Sequence, residues 1–370
     1  MVMFWTRIGS LNALEMSAGS RFWKSWLGGP MPSADTMADV HSKMDAATLR
    51  EAIHEAYDRL KRNKALPDNR GISLAIVDGH ESHASYRRHC PGCLERTIHS
   101  DNGDRVQYYH RQVTLFLVPG APAGREPLRI PLDHEPQRRG EDEVATAIRL
   151  LKRVLIRFPR AFDLVLADGL YLRADFFNFL LDRNKHVLVV LKDERRLLYQ
   201  DVARQFEFVP PVEGTFRSRQ CQWWDLPGLV SWPDINVPVR VIRSLETYSV
   251  KRQLDGKREA LVSDWMWATT LPQAQANTAR AVGFGHQRWD IENYGFNELV
   301  NGWKTDHVLT HEANAIECFL LLAFLAFILF QAFLCLNVKP AVRQGKSQIH
   351  WARVIAAEIY QYLIPAVLSP

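Results

Sequence analysis

The sequence predicts an α/β fold: a mixed five-stranded sheet with helices, a helical N-terminal region before it and a β-rich insertion within it. Three observations predict it. Short apolar runs alternate with amphipathic helical patterns between residues 72 and 191. Residues 33–66 show helical spacing of apolar positions. Residues 200–270 lose that rhythm and become rich in Trp, Pro and β-branched side chains.

The elements follow in order. Residues 1–33 are mixed, with many Gly, Ser and Pro. From Ser33 to Leu66 the chain reads as helical, with Ser33 or Asp35 as the cap and Met44, Leu49, Ile53, Tyr57 and Leu60 as the apolar stripe. Pro67-Asp68-Asn69-Arg70-Gly71 breaks it. Ile72–Val77 is a buried-strand candidate that ends at Asp78-Gly79-His80. Tyr109–Val118 and Leu128–Leu132 are the second and third strands, separated by Pro119-Gly120-Ala121-Pro122 as in a hairpin. Glu141–Phe158 is an amphipathic helix with acids first and bases last, which suits the helix dipole. Asp163–Ala167 is a fourth strand ending at Asp168-Gly169, Leu172–Asp182 a helix, and His186–Leu191 a fifth strand. The first three strands can form an antiparallel meander. The fourth must cross over through a helix and so run parallel to a neighbour. This is the order of an RNase H-like core. The division that follows is a helical region at 1–70, a first part of the core at 71–199, the β-rich insertion at 200–270, a helical second part at 271–340 and a tail at 341–370.

Composition narrows the class. The chain has 370 residues and a formal charge of +5, which is compatible with nucleic acid and decides nothing alone. Five cysteines and an N-terminus without a continuous apolar stretch argue against a disulfide framework and for a reducing, cytoplasmic setting. Phe319–Leu336 is apolar apart from Gln331 and long enough to span a bilayer. A fully buried core helix explains it better, because it follows directly on a charged motif that the catalytic core needs.

Asp78 and Asp168 each close an apolar strand and each precede Gly, in AIVDG and VLADG. On neighbouring parallel strands the two carboxylates emerge at one edge. Glu292 lies in HQRWDIENYGFNEL, a helical stretch, with Arg288 four residues earlier on the same face. Three such acids can hold two Mg²⁺ (or Mn²⁺) ions about 3.5–4 Å apart, which polarise an attacking oxygen and stabilise a leaving one in phosphodiester chemistry. Read locally, the same residues could be two Asp-Gly turns and a solvated Glu paired with Arg288.

VDGHES, LADGLYL and RWDIEN together resemble the three signature blocks of DDE transposases from bacterial insertion sequences, in the family-four group. The resemblance covers Ile72 to about Leu336. It implies an RNase H-like core, catalytic metal binding by Asp78, Asp168 and Glu292, cleavage at transposon ends followed by strand transfer to target DNA, and a homodimer on the terminal repeats. The group's third block places a Tyr where this chain has Gly285 and a Lys where it has Leu299, whereas Arg288 and Glu292 match. Lys304 is near the missing Lys but on another face of a regular helix. A metal-dependent nuclease, an inactive DNA-binding relic and a membrane-anchored protein are the alternatives.

Other residues offer further contacts. Arg288 can grip a phosphate in bidentate fashion. Lys304, Arg217 and Arg219 add positive charge, and Trp223 and Trp224 could stack on unpaired bases, although Trp residues in a small insertion are more often its core. His80 is a second candidate at the metal site or only a turn neighbour. Cys90-Pro-Gly-Cys93 supplies two of the four ligands zinc needs, with His83, His89, His99 and His110 nearby but no clean pair among them. A redox role fits poorly, because the motif does not open a helix after a strand.

Overall fold

A computed structural model describes the chain except residues 67–70, 102, 119–127, 195, 253–255, 307–310 and 361–370. The breaker read at 67–70 and the connection read at 119–122 lie outside the described residues. In chain order the helices and strands are α1 (Val2–Trp5), α2 (Leu11–Glu15), α3 (Arg21–Leu27), α4 (Ala34–Lys43), α5 (Ala46–Arg62), β1 (Leu74–Ser85), β2 (Leu94–Ile98), β3 (Arg105–Val118), β4 (Ile130–Pro136), α6 (Glu143–Arg157), β5 (Leu164–Ala167), α7 (Ala174–Leu181), β6 (His186–Val190), α8 (Leu197–Phe206), β7 (Val212–Phe216), β8 (Arg219–Leu229), β9 (Val239–Lys251), β10 (Arg258–Thr269), α9 (Thr278–Gln287), α10 (Ala313–Leu336), α11 (Pro340–Arg343) and α12 (Gln348–Tyr360). The chain folds as a mixed α/β protein of the RNase H-like class, in two compact units. The first holds residues 1–71, 79–154 and 291–370, the second residues 72–78 and 155–290.

In the first unit β3 pairs antiparallel with β2 through Arg105–Tyr109 and with β4 through Gln112–Leu117, and β1 is its neighbour on the other side. The helical region read at 33–66 is two helices. Ser33 caps α4 by accepting from Thr36 N–H, and Asp45 caps α5 by accepting from Ala47 and Thr48 N–H. α5 buries Leu49, Ile53, Tyr57 and Leu60, the stripe its spacing foretold. α10, the long apolar helix, packs on α4, α5, α1 and β4. It buries Phe319, Leu321, Phe324, Phe327 and Ile328, and it is long and apolar enough to cross a membrane by composition.

β4 reaches further than its apolar run. Its second half is Asp133-His134-Glu135, all buried. Such charges persist in a core only when paired. Asp133 accepts from Arg50 Nε (3.1 Å) and Arg153 Nε (2.9 Å), and Glu135 pairs with Arg149 and Arg153. Burial pushes the His134 imidazole down to about 4.

In the second unit the sheet runs β1–β5–β6 in parallel, and β10 then joins β6 antiparallel, followed by β9, β8 and β7. The β-rich stretch therefore extends this sheet as an antiparallel meander. α9 packs over β5, β6, β8 and β9, and α7 over β6.

Candidate active site

β5 is four residues long, so Asp168 falls just past its end. There it caps a single 3₁₀ turn, Gly169–Tyr171, by accepting from Leu170 N–H at 2.9 Å. Tyr171 is fully buried and pins the turn. β1 differs from expectation. It continues to Ser85 through a polar sequence, so Asp78 lies within the strand and not at its end. The apolar run stops at Val77 because the later residues are only partly buried, which left no hydrophobic signal to read.

The register of the two strands, carried two residues past its last pair, aligns the acids. Leu74 pairs with Leu164 and Ile76 with Leu166. The same offset puts Asp78 level with Asp168, and residues level on neighbouring parallel strands present their side chains on one face. Arg288, almost completely buried, sets its Nη1 3.7 Å from Asp78 Oδ2. A guanidinium there offsets part of the repulsion between two adjacent carboxylates. The donor set, carboxylate oxygens on a rigid sheet, suits a hard divalent cation.

Arg288 closes α9, whose path is set by a Trp-rich wall. Trp265, Trp267 and Phe216 surround His286, and Trp265 meets Trp289 edge-on. Gly285, the position of the missing Tyr, packs against this wall. A Cβ there would lie 2.4 Å from the Trp267 indole. No larger side chain fits without displacing Trp267. His286 Nε2 in turn lies 2.6 Å from Glu246 Oε1, which also faces Ser244. Burial alone raises the Glu246 carboxyl, but hydrogen bonds from His286 and Arg219 outweigh it and hold it below the usual range.

Glu292 belongs to the first unit. Its segment is not a regular α-helix: Ile291–Phe296 and Glu298–Gly302 are π-helical. Such turns are rare and cluster at functional sites. Face assignments at 3.6 residues per turn therefore fail here. Ile291 is fully buried, a Cβ on Gly295 would lie 3.4 Å from the Phe116 ring, and Phe296 stacks on His80 at 4.8 Å. The Arg129 guanidinium sits 3.7 Å over the Tyr294 ring. Glu292 stays partly exposed on this anchored stretch. Leu299, where the motif has Lys, is buried. Lys304 follows the end of the π-helical stretch with φ +57°, so it turns out of the helix altogether.

His80 is held by Phe296 and by Asp306 Oδ1 at 3.5 Å, the position of a packed strand residue. Glu143 went unnoticed in the sequence. Its carboxylate pairs with Arg111 and presses on Gly79, where a Cβ would lie 2.2 Å from it. A larger residue after Asp78 would have to move this carboxylate.

Trp223 needs correction. A candidate for stacking on bases, it instead follows the core alternative: it is buried, its Nε1 donates to Ser244 Oγ (3.1 Å) and its ring covers Gly214. The outward alternation of β8 leaves Trp224 partly exposed, with its Nε1 donating to Val209 O and the Arg243 guanidinium 4.9 Å over its ring. Arg219 pairs with Glu246 and lies over Tyr248, whereas Arg217 is exposed in the β7–β8 turn. Cys90 and Cys93 meet His110 and His311. His311 escaped notice because it is 218 residues from Cys93.

No curated protein matches the chain. A family model described as the transposase DDE domain matches residues 125–329, more than half of its length. Asp168, Arg288 and Glu292 fall within the match, and Asp78 precedes it. The signature blocks, the mixed sheet and this match agree, and the chain belongs to the DDE-domain transposases.

Proposed function

We propose that this transposase cuts DNA at the ends of its element and joins the freed 3′-hydroxyl to target DNA, with Asp78, Asp168 and Glu292 as the metal-holding carboxylates. The observation that carries the reading is the register of β1 and β5, which sets Asp78 level with Asp168 beside Arg288. Bound divalent cations supply the charge that activates the attacking oxygen and stabilises the leaving one. Asp78 and Asp168 offer the first pair of oxygen ligands from a rigid sheet, and Glu292 is the third ligand of the proposal. Arg288 steadies Asp78 and is the candidate for a phosphate contact. Lys304, Arg217, Arg219 and Trp224 make the outer contacts to DNA, and the helical region before residue 71 contacts the transposon end. Two ends must be joined in concert, so two copies act together on DNA. The blocks VDGHES, LADGLYL and RWDIEN support the family-four insertion-sequence group.

A strand-transfer assay tests this. The purified chain is given pre-cut transposon ends, a target plasmid and Mg²⁺ or Mn²⁺. Ends joined to target, and no joining by Asp168→Asn, support the proposal. Nicking without joining points to a nuclease. Binding with neither product points to a relic, a reading that Gly285 and the buried Leu299 favour because both lie where the motif places DNA-gripping side chains.

A further inference from the structure

Three separate stretches of the first unit converge on one point. Cys90 and Cys93 form the turn before β2, His110 lies in β3, and His311 immediately precedes α10. The sulfurs are 3.8 Å apart. His110 Nε2 is 3.4 Å from each sulfur, and His311 Nε2 is 3.1 Å from Cys93 Sγ. All four ligand atoms lie within 4.8 Å of one another.

These separations have a specific meaning. A tetrahedral ion with metal–sulfur bonds of about 2.3 Å and metal–nitrogen bonds of about 2.0–2.1 Å requires sulfur–sulfur edges of about 3.8 Å and sulfur–nitrogen edges of about 3.5 Å. A disulfide would need sulfurs at about 2.05 Å. The donor set is soft, two thiolates and two imidazoles, and selects zinc over the hard cations that carboxylates prefer. Two thiolates cancel the charge of Zn²⁺, so the neutral cluster suits the burial of Cys90, Cys93 and His110.

The surroundings are built for it. Cys90 N–H donates to Cys93 Sγ at 3.2 Å, and Arg139 Nε donates to Cys93 O at 2.8 Å. Gly92 lets the turn press on α10, since a Cβ there would lie 2.8 Å from that of Ala313. We propose that Cys90, Cys93, His110 and His311 bind one zinc ion as a closed structural site. The ion fastens the start of α10 to β3 and to the turn before β2. It leaves no open position for chemistry, unlike the carboxylate set.

Metal analysis of the chain, purified without metal-affinity resin, tests this. The expected result is about one zinc per chain in the parent protein and in His311→Cys, which keeps four soft ligands, and a fall below roughly a fifth in His311→Ala and Cys93→Ser. Unchanged zinc in His311→Ala overturns the proposal, as does a zinc-free parent chain or a Cys90–Cys93 disulfide found by mass spectrometry without reductant. Replacing zinc by Co²⁺ in the parent chain needs no variant to fold. Intense tetrahedral ligand-field bands with thiolate-to-cobalt charge transfer support the site, and a weak octahedral spectrum overturns it.

Discussion

At the scale of single residues, Asp168 does two things at once. Its carboxylate caps a turn, and the β1–β5 offset aligns the residue with Asp78. Asp168→Asn preserves the cap acceptor and removes the charge, so the variant should fold and bind DNA while cleavage falls at least about 10²-fold. Equal cleavage in a gel assay would remove Asp168 from the catalytic set. Gly285 makes the reverse point. Introducing the motif residue by Gly285→Tyr should not raise activity, because the Trp267 indole occupies the space. Overpacking of this kind costs about 1–3 kcal/mol, which urea unfolding would register as a lower midpoint. His134 gives a pH signature. Its folded pKa, about 4, is below the free value of 6.5, so the unfolded chain binds the extra proton first. Stability should therefore be intact above about pH 6.5 and decline as pH falls towards 4, and His134→Gln should flatten that part of the curve.

At the scale of elements, β4 shows how a strand can hide from a hydrophobicity reading. Half of it is acid and imidazole, held in the core by Arg50, Arg149 and Arg153. Arg50→Met takes one guanidinium from Asp133, which keeps Arg153 and the His134 N–H, and also takes Arg50 from Glu317; it should cost about 1.5–3 kcal/mol in urea unfolding, with little effect at the β1–β5 register. β2 hid for a related reason: Leu94–Ile98 is a short edge strand with three exposed residues in a row. The buried parallel strands were plain, since β5 and β6 are continuous apolar runs. The segment carrying Glu292 was legible as helical but not as π-helical. No local residue preference marks a π-turn; packing of Ile291, Gly295 and Phe296 imposes it.

At the scale of the molecule, the proposed chemistry makes two demands. Activity should vanish with chelator and return with Mg²⁺ or Mn²⁺, which a titration in the strand-transfer assay checks. Transposon-end binding should weaken steeply with salt, since the contacts proposed for Arg217, Arg219 and Lys304 are to phosphates, and a shallow slope would move the DNA path elsewhere. Light scattering of the chain on two ends should report two copies.

The sequence by itself determined the α/β class, the parallel run of the fourth strand beside a neighbour, and the three acids as candidates, because apolar runs, Asp-Gly punctuation and the three blocks are local patterns. Tertiary structure alone decided that Asp78 stands level with Asp168, that Trp267 fills the place above Gly285, that Trp223 is core, and that His311 joins a cysteine pair far upstream. Register, occupied volume and convergence are properties of pairs of residues distant in the chain, and no stretch of sequence carries them until the chain has closed on itself.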